Sequence, residues 1–276
     1  MSSPVASLII SAYNNVRYLD LVIKSALQQT DRRFEVIVTE DAQHEQMSNF
    51  IQSIKGAINI RHITQPDVGW RKNRALNRAI EAAATDYLIF IDEDCVLHPR
   101  FIEFHIKRSD PDRILAGKRI KLDPETTQLI LENKLWIDGL NGYILKNFAL
   151  IKSRGAQFVE EGVFINPKGP LGFIPALRSM YQLKGCNMSF SRKAIYAING
   201  FDEDYTRPAI GEDIDLGWRF EQAGYKMKSL RNIAVQYHLH HESGWSNQDE
   251  NVRMMQQKKA QNHYVCLNGI KKLSRQ

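Results

Sequence analysis

Three carboxylates, Asp92, Glu93 and Asp94, follow directly on the apolar run 87–91. Acids crowded in this way repel one another, and a divalent cation is the natural compensation. A buried strand ending in them puts them where open α/β sheets bind ligands, beyond the carboxyl ends of the strands. A solvated acidic turn is the alternative, and Pro99, read as opening the next helix, favours a built site. The run 36–39 ends similarly in Glu40 and Asp41, placed to accept hydrogen bonds from a base or a ribose, or, for Asp41, to cap the next helix. In Gly211-Glu212-Asp213, Asp213 is a candidate general base for a hydroxyl and Glu212 a group that orients it, although acids at a helix start also suit its dipole. On a strand, His238 and His240 point to one side and could give a metal a nitrogen ligand, or serve the structure alone. Arg71, Lys72 and Arg74 follow Gly69-Trp70 at a helix start, where they could meet a diphosphate or form a solvated face.

The elements that must hold these groups alternate in the first half. Residues 5–12 form a continuous apolar run of the kind a strand buried on both faces requires. Asn14 and Asn15 offer caps for a helix carrying Leu19, Val22, Ile23, Ala26 and Leu27. Strands at 34–39 and 58–63, a helix near 46–54, a helix from 71 to 84 and a strand at 87–91 complete a βαβαβαβ order, which predicts a doubly wound, mostly parallel sheet. Beyond it the pattern loosens. Residues 113–122 read as a strand or strand pair and 124–137 as a helix, with loops and short helices over 139–184. A strand near 187–191, helices at 191–198 and after Gly211, a strand at 233–238 and a basic helix from 251 follow.

Composition narrows the function classes. The chain has 276 residues, 25% charged and 43% hydrophobic, with a formal charge of +6. That excess suits phosphates, nucleic acid or an acidic lipid surface. Cys95, Cys186 and Cys266 lack the spacing of a disulfide scaffold or a zinc site, which points to a reducing cytoplasm. The start Met1-Ser2-Ser3-Pro4 shows no basic flank or cleavage site of a signal peptide, and the apolar runs are too short to span a bilayer. No Gly-x-Gly-x-x-Gly follows the first strand and no Walker sequence is present, so dinucleotide and P-loop readings lose their support. One domain is expected, since no repeat or linker interrupts the chain.

Taken in order, these segments resemble family 2 glycosyltransferases of the GT-A fold, over nearly the whole chain. Ser7 to Asn14 looks like the family's opening strand and nucleotide-contacting turn, which assigns Ala12, Tyr13 and Asn14 to the donor. Asp41 falls on the family's uracil-binding acid, with Glu40 where an Asp is usual. Asp92-Glu93-Asp94 resembles its Asp-X-Asp motif, implying that Asp94 binds the metal and that Asp92 meets the ribose, or the metal through water. Pro66 to Asn77 resembles bacterial polysaccharide-assembling members. Lys184 to Phe190, Asn199 to Glu203 and Gly211-Glu212-Asp213 resemble the chondroitin-polymerase-like and galactosyltransferase-like branch. There Cys186 and Asn187 lie beside the donor sugar, Asp213 matches the base and His238 completes the metal site. Arg207 to Gly211 stands where that branch has Gly-Trp-Gly, a departure that bears on the donor sugar.

The resemblance implies an inverting transferase that uses Mn²⁺ or Mg²⁺ to move a sugar from a UDP-sugar to a glycan or lipid-linked hydroxyl, as in bacterial capsule or lipopolysaccharide assembly. Residues 1–122 would bind the nucleotide sugar, 123–250 would carry the acceptor and the base, and the basic segment 251–276 would be a helix, solvated or touching the inner membrane surface. Nucleic acid is not expected as a partner. One rival, a sugar-phosphate nucleotidyltransferase, needs a Gly-rich basic loop after the first strand, and Ser11 to Asn15 is neither. The other is a glycan- or nucleic-acid-binding relative without activity, against which the retained acids argue.

Overall fold

The computed structural model describes residues 3–242 and 247–274; Met1 and Ser2, read above as the start of a chain without a leader, lie outside them. The first half follows the predicted alternation: β1 (Ala6–Ala12), α1 (Val16–Leu27), β2 (Phe34–Glu40), α2 (Glu45–Ile54), β3 (Ile60–Thr64), α3 (Lys72–Ala82) and β4 (Tyr87–Asp92). All seven residues of β2 are buried, as the unbroken apolar run requires of a strand covered on both faces. Of the two candidate caps, Asn15 does the work, its side chain accepting from the Tyr18 amide.

The chain continues through β5 (Cys95–Leu97), α4 (Phe101–Arg108), β6 (Arg113–Ala116), β7 (Ile120–Lys121), α5 (Pro124–Leu131), α6 (Leu140–Lys146), α7 (Phe148–Ser153) and α8 (Phe173–Leu177). It ends with β8 (Met188–Ser191), α9 (Arg192–Ala197), α10 (Ile214–Gln222), β9 (Lys226–Ser229), β10 (Gln236–His238) and α11 (Asp249–Ala260). Seven strands form one sheet in the order β3-β2-β1-β4-β8-β6-β9, and β5-β10-β7 form a second. In the large sheet β8 alone runs against the rest, pairing antiparallel with both β4 and β6. One apolar cluster on this sheet packs against α1 and α2, the other against α3, α9 and α10.

Four expectations need correction. Pro99 is not the first residue of the next helix: β5 separates it from the acids, and α4 starts at Phe101 with Arg100 as its N-cap. Residues 113–122 split between the two sheets, with β6 in one and β7 in the other. The helix expected over 124–137 stops at Leu131, because Asn133 takes a left-handed conformation (φ 56°) and the amides of Lys134 and Leu135 close back on Leu129. The basic tail is helical only to Ala260. Beyond it the chain folds back, and the Asn199 amide donates to the carbonyls of Cys266 and Lys271. Its lysines do not make one solvated stripe: Lys258 pairs with Asp202 and Asp204, each at 2.6 Å, and Lys272 with Glu203 at 2.7 Å. No helix among the described residues is long and apolar enough to cross a membrane.

Candidate active site

Strand register assembles the site. In the parallel ladder Ala12 lies opposite Glu40 and Ser11 opposite Asp92, so β1, β2 and β4 end at one level. Beyond those ends opens a cavity of about 490 Å³ lined by Ala12, Tyr13, Asp41, Trp70, Lys72 and the three acids Asp92, Glu93 and Asp94. Its size and place suit a small-molecule ligand.

Asp41 does not cap α2, whose N-cap is His44. Its carboxylate accepts instead from the Gln65 amide at 2.6 Å and the Arg71 backbone N–H at 2.7 Å, and burial raises its pKa despite both. Glu40 is wholly buried and turned away, bonded to the His44 amide at 2.8 Å and to His62 at 2.8 Å, so it braces β2 and β3. Across the mouth the Tyr13 hydroxyl donates to Asp67 at 3.1 Å. Asn14 is exposed and outside the lining. Glu93, half-buried beside β1 and bonded by the Asn15 amide at 3.3 Å, has its pKa pushed up to about 7 by desolvation.

The small sheet fixes a second group. Cys95 pairs with His238 in the β5–β10 ladder, and the Leu239 amide donates to the Asp94 carbonyl at 2.9 Å. Backbone pairing thus brings His238 Nε2 to 3.3 Å from an Asp94 oxygen. The strand ends at His238, so the alternation that would align His240 with it stops. His241 swings in at 3.1 Å, whereas the His240 amide bonds Thr127 and its carbonyl accepts from Tyr18. Ligand atoms of Asp94, His238 and His241 all lie within 4.8 Å of one another. Burial opposes ionisation of Asp94, but the two histidines and Arg119 hold its pKa well below the usual range. One carboxylate with two imidazoles fits Mn²⁺ better than Mg²⁺, which prefers oxygen alone. Asp92 groups with Asp94 and Cys95, yet both its oxygens meet cations, Lys72 at 2.8 Å and Arg119 at 3.0 Å. Replacing His241 by Ala should therefore weaken Mn²⁺-dependent nucleotide binding about ten-fold or more, and His240→Ala should leave it unchanged. Titration calorimetry on both variants checks this.

Asp92 also lines a neighbouring cavity of about 360 Å³, together with Arg119, Lys184, Cys186, Glu212 and Asp213. Asp92 lines both cavities, and Lys72, in the first, bridges it to Glu212 of the second at 2.9 Å. Asp213 is the N-cap of α10, accepting from the Ile214 amide at 2.7 Å, and burial raises its pKa. Asp215 and Arg219, also prominent in that sequence segment, belong to the core: both are almost fully buried and face each other. On α3 the Asn73 amide donates to the Gly211 carbonyl at 3.2 Å, tying the segment that carries Glu212 and Asp213 to the helix that carries Lys72.

Two sequence assignments change. Asn187, expected beside a donor sugar, is fully buried, and its amide donates to the carbonyls of Lys118 and Ala234, so only Cys186 of that pair faces the cavity. Arg71 turns its guanidinium to the Trp70 carbonyl and lies outside the lining, where Lys72 takes the place expected of it. Arg119 was not anticipated, since it sits in the crossing between the two sheets and belongs to no periodic element.

This arrangement sets acids at the carboxyl edge of a mostly parallel sheet, with a mixed second sheet behind them, where open α/β folds bind their ligands. Residues 7–159 match the model of glycosyl transferase family 2, and residues 177–242 that of the N-terminal domain of galactosyltransferase. The chain belongs to glycosyl transferase family 2. It is 24% identical over 245 residues to a hyaluronan synthase of Pasteurella multocida and to a chondroitin synthase of Escherichia coli. These alignments take in 84% of the chain but span only 24% and 34% of those relatives. Among solved structures, a mannosyltransferase of Pyrobaculum calidifontis in complex with GDP-Man and Mn²⁺ superposes with TM-score 0.56 at 15% identity, covering 95% of this chain and 64% of that one. TarS 1–349 of S. aureus with UDP-GlcNAc gives 0.58 at 15%, covering 91% and 65%. The fold is GT-A.

Proposed function

We propose that the chain transfers a sugar from a UDP-sugar to a hydroxyl of a glycan or lipid-linked acceptor, with a divalent cation and with inversion, in assembly of a bacterial surface polysaccharide. One observation carries this reading. Asp94, His238 and His241 converge on one side of the Lys72–Asp92–Glu212 cluster, and Asp213 stands on the other. Asp41 is placed to accept from the base, Lys72 and Arg119 supply positive charge, and Asp213 faces the cavity in which an acceptor hydroxyl attacks. Asp94, His238 and His241 would hold the divalent cation, which when bound would supply charge neutralisation at the leaving diphosphate. As the new bond to the anomeric carbon forms and the bond to the diphosphate breaks, the hydroxyl proton passes to Asp213, whose raised pKa makes it the stronger base.

Calorimetric titration with UDP tests the donor half. Binding should appear with Mn²⁺ and vanish both with EDTA and in Asp94→Ala. Equal affinity in the presence of EDTA refutes the metal assignment.

A further inference from the structure

We propose that one face of α10 forms the wall of a glycan groove, which holds the acceptor's sugars beyond the one that is attacked. The proposal rests on the glycosyl-transfer reading and extends it to the acceptor. Ile214, Gly217, Trp218 and Glu221 recur at i, i+3, i+4 and i+7, the spacing of a single helical stripe. They line a cavity of about 640 Å³, closed on the other side by Tyr181 and Tyr225. Glycine at 217 lets Leu183 approach the helix closely, since an added Cβ would lie 3.4 Å from the Leu183 Cβ.

Tyr225 rests edge-on against Phe220 at the border of the core, with ring centres 5.9 Å apart. Tyr181 is 94% exposed, and Trp218 is half-buried with the Lys259 ammonium 5.5 Å from its ring centre. Flat aromatic faces beside a polar rim of Gln182, Glu221, Lys226 and Lys259 match the alternating apolar faces and hydroxyls of a pyranose chain.

Position identifies the occupant. The groove begins at Ile214, next to Asp213, and at Leu183, two residues (at most ~7 Å) from Gly185 in the Asp213 cavity. From Ile214 to Glu221 the helix rises about 10 Å, away from Asp213 toward the β9 edge of the sheet. A chain whose end lies at Asp213 therefore runs along this face, and its second and third sugars meet Trp218 and the tyrosines.

Fluorescence and calorimetric titrations with di-, tetra- and hexasaccharides of three series test the groove: glucose, N-acetylglucosamine, and alternating glucuronate and N-acetylglucosamine. One series should bind, with affinity rising from di- to tetrasaccharide and then levelling. Trp218→Ala should weaken the hexasaccharide about ten-fold or more, leave the disaccharide unchanged and leave UDP–Mn²⁺ binding intact, while Trp218→Phe retains the length dependence. Absence of binding by all three series, affinity independent of length, or a hexasaccharide indifferent to Trp218→Ala overturns the groove. Failure of the transferase reading shows separately, as loss of UDP binding in the unsubstituted protein.

Discussion

Asp213→Asn should lower kcat about 10²–10⁴-fold, the usual contribution of a positioned general base, while Mn²⁺-dependent UDP affinity stays where it was. The substitution separates chemistry from structure unusually well. Asp213 is the N-cap of α10, its side-chain oxygen accepting from the Ile214 amide at 2.7 Å. Asn caps as well as Asp does, so the helix start is kept and only the basic oxygen is lost. Asp213→Ala removes the cap too and should cost about 1 kcal/mol of stability besides the rate. The pH profile gives an independent check. Burial raises the folded pKa of Asp213 above its ordinary 3.8, and the reaction needs the ionised form. The rate should therefore fall with one-proton dependence as pH drops through that raised value, and the residual rate of the Asn variant should lack this acid limb. Loss of UDP binding in parallel with the rate would remove Asp213 from the role of base and return it to that of a cap.

Much of this site was legible before any coordinates, and the reason is physical. Strands buried on both faces in a parallel sheet carry unbroken apolar runs, so β1, β2 and β4 announce themselves and the acids after them inherit a position. The second sheet gave no such signal. Its strands have three, two and three residues, too short to show a period, yet their pairing aligns His238 with Asp94 and releases the chain so that His241 arrives instead of His240. Asn187 shows the same limit. Nothing in Gly185-Cys186-Asn187 says which side chain faces out, and the answer comes from two distant carbonyls, those of Lys118 and Ala234, which need its amide. Arg119 was hidden because a crossing between sheets follows no pattern; its pairing with Asp92 is visible only once both sheets are built.

Lys72→Met should destabilise the fold by on the order of 3 kcal/mol, the lower end of the range for breaking a buried ion pair, since about a fifth of each side chain still meets solvent. Burial works against the ammonium, but Asp92 at 2.8 Å and Glu212 at 2.9 Å more than offset it and hold its pKa well above the ordinary lysine value. Without the lysine, Asp92 keeps Arg119 at 3.0 Å, whereas Glu212, for which burial already raises the pKa, keeps no cation within ion-pair distance among the described residues. The loss therefore belongs chiefly to Glu212, and adding Glu212→Gln to Lys72→Met should return most of the stability lost, measured by denaturant or thermal unfolding. UDP affinity then decides what Lys72 is for. Lys72 lines the cavity beyond β1, β2 and β4 at the start of α3, where backbone amides also favour an anion. If it meets the diphosphate, the double variant recovers its stability but not its affinity. Recovery of both makes Lys72 a strut between the two halves of the site, and the charge at the diphosphate would then fall to Arg119 and the cation.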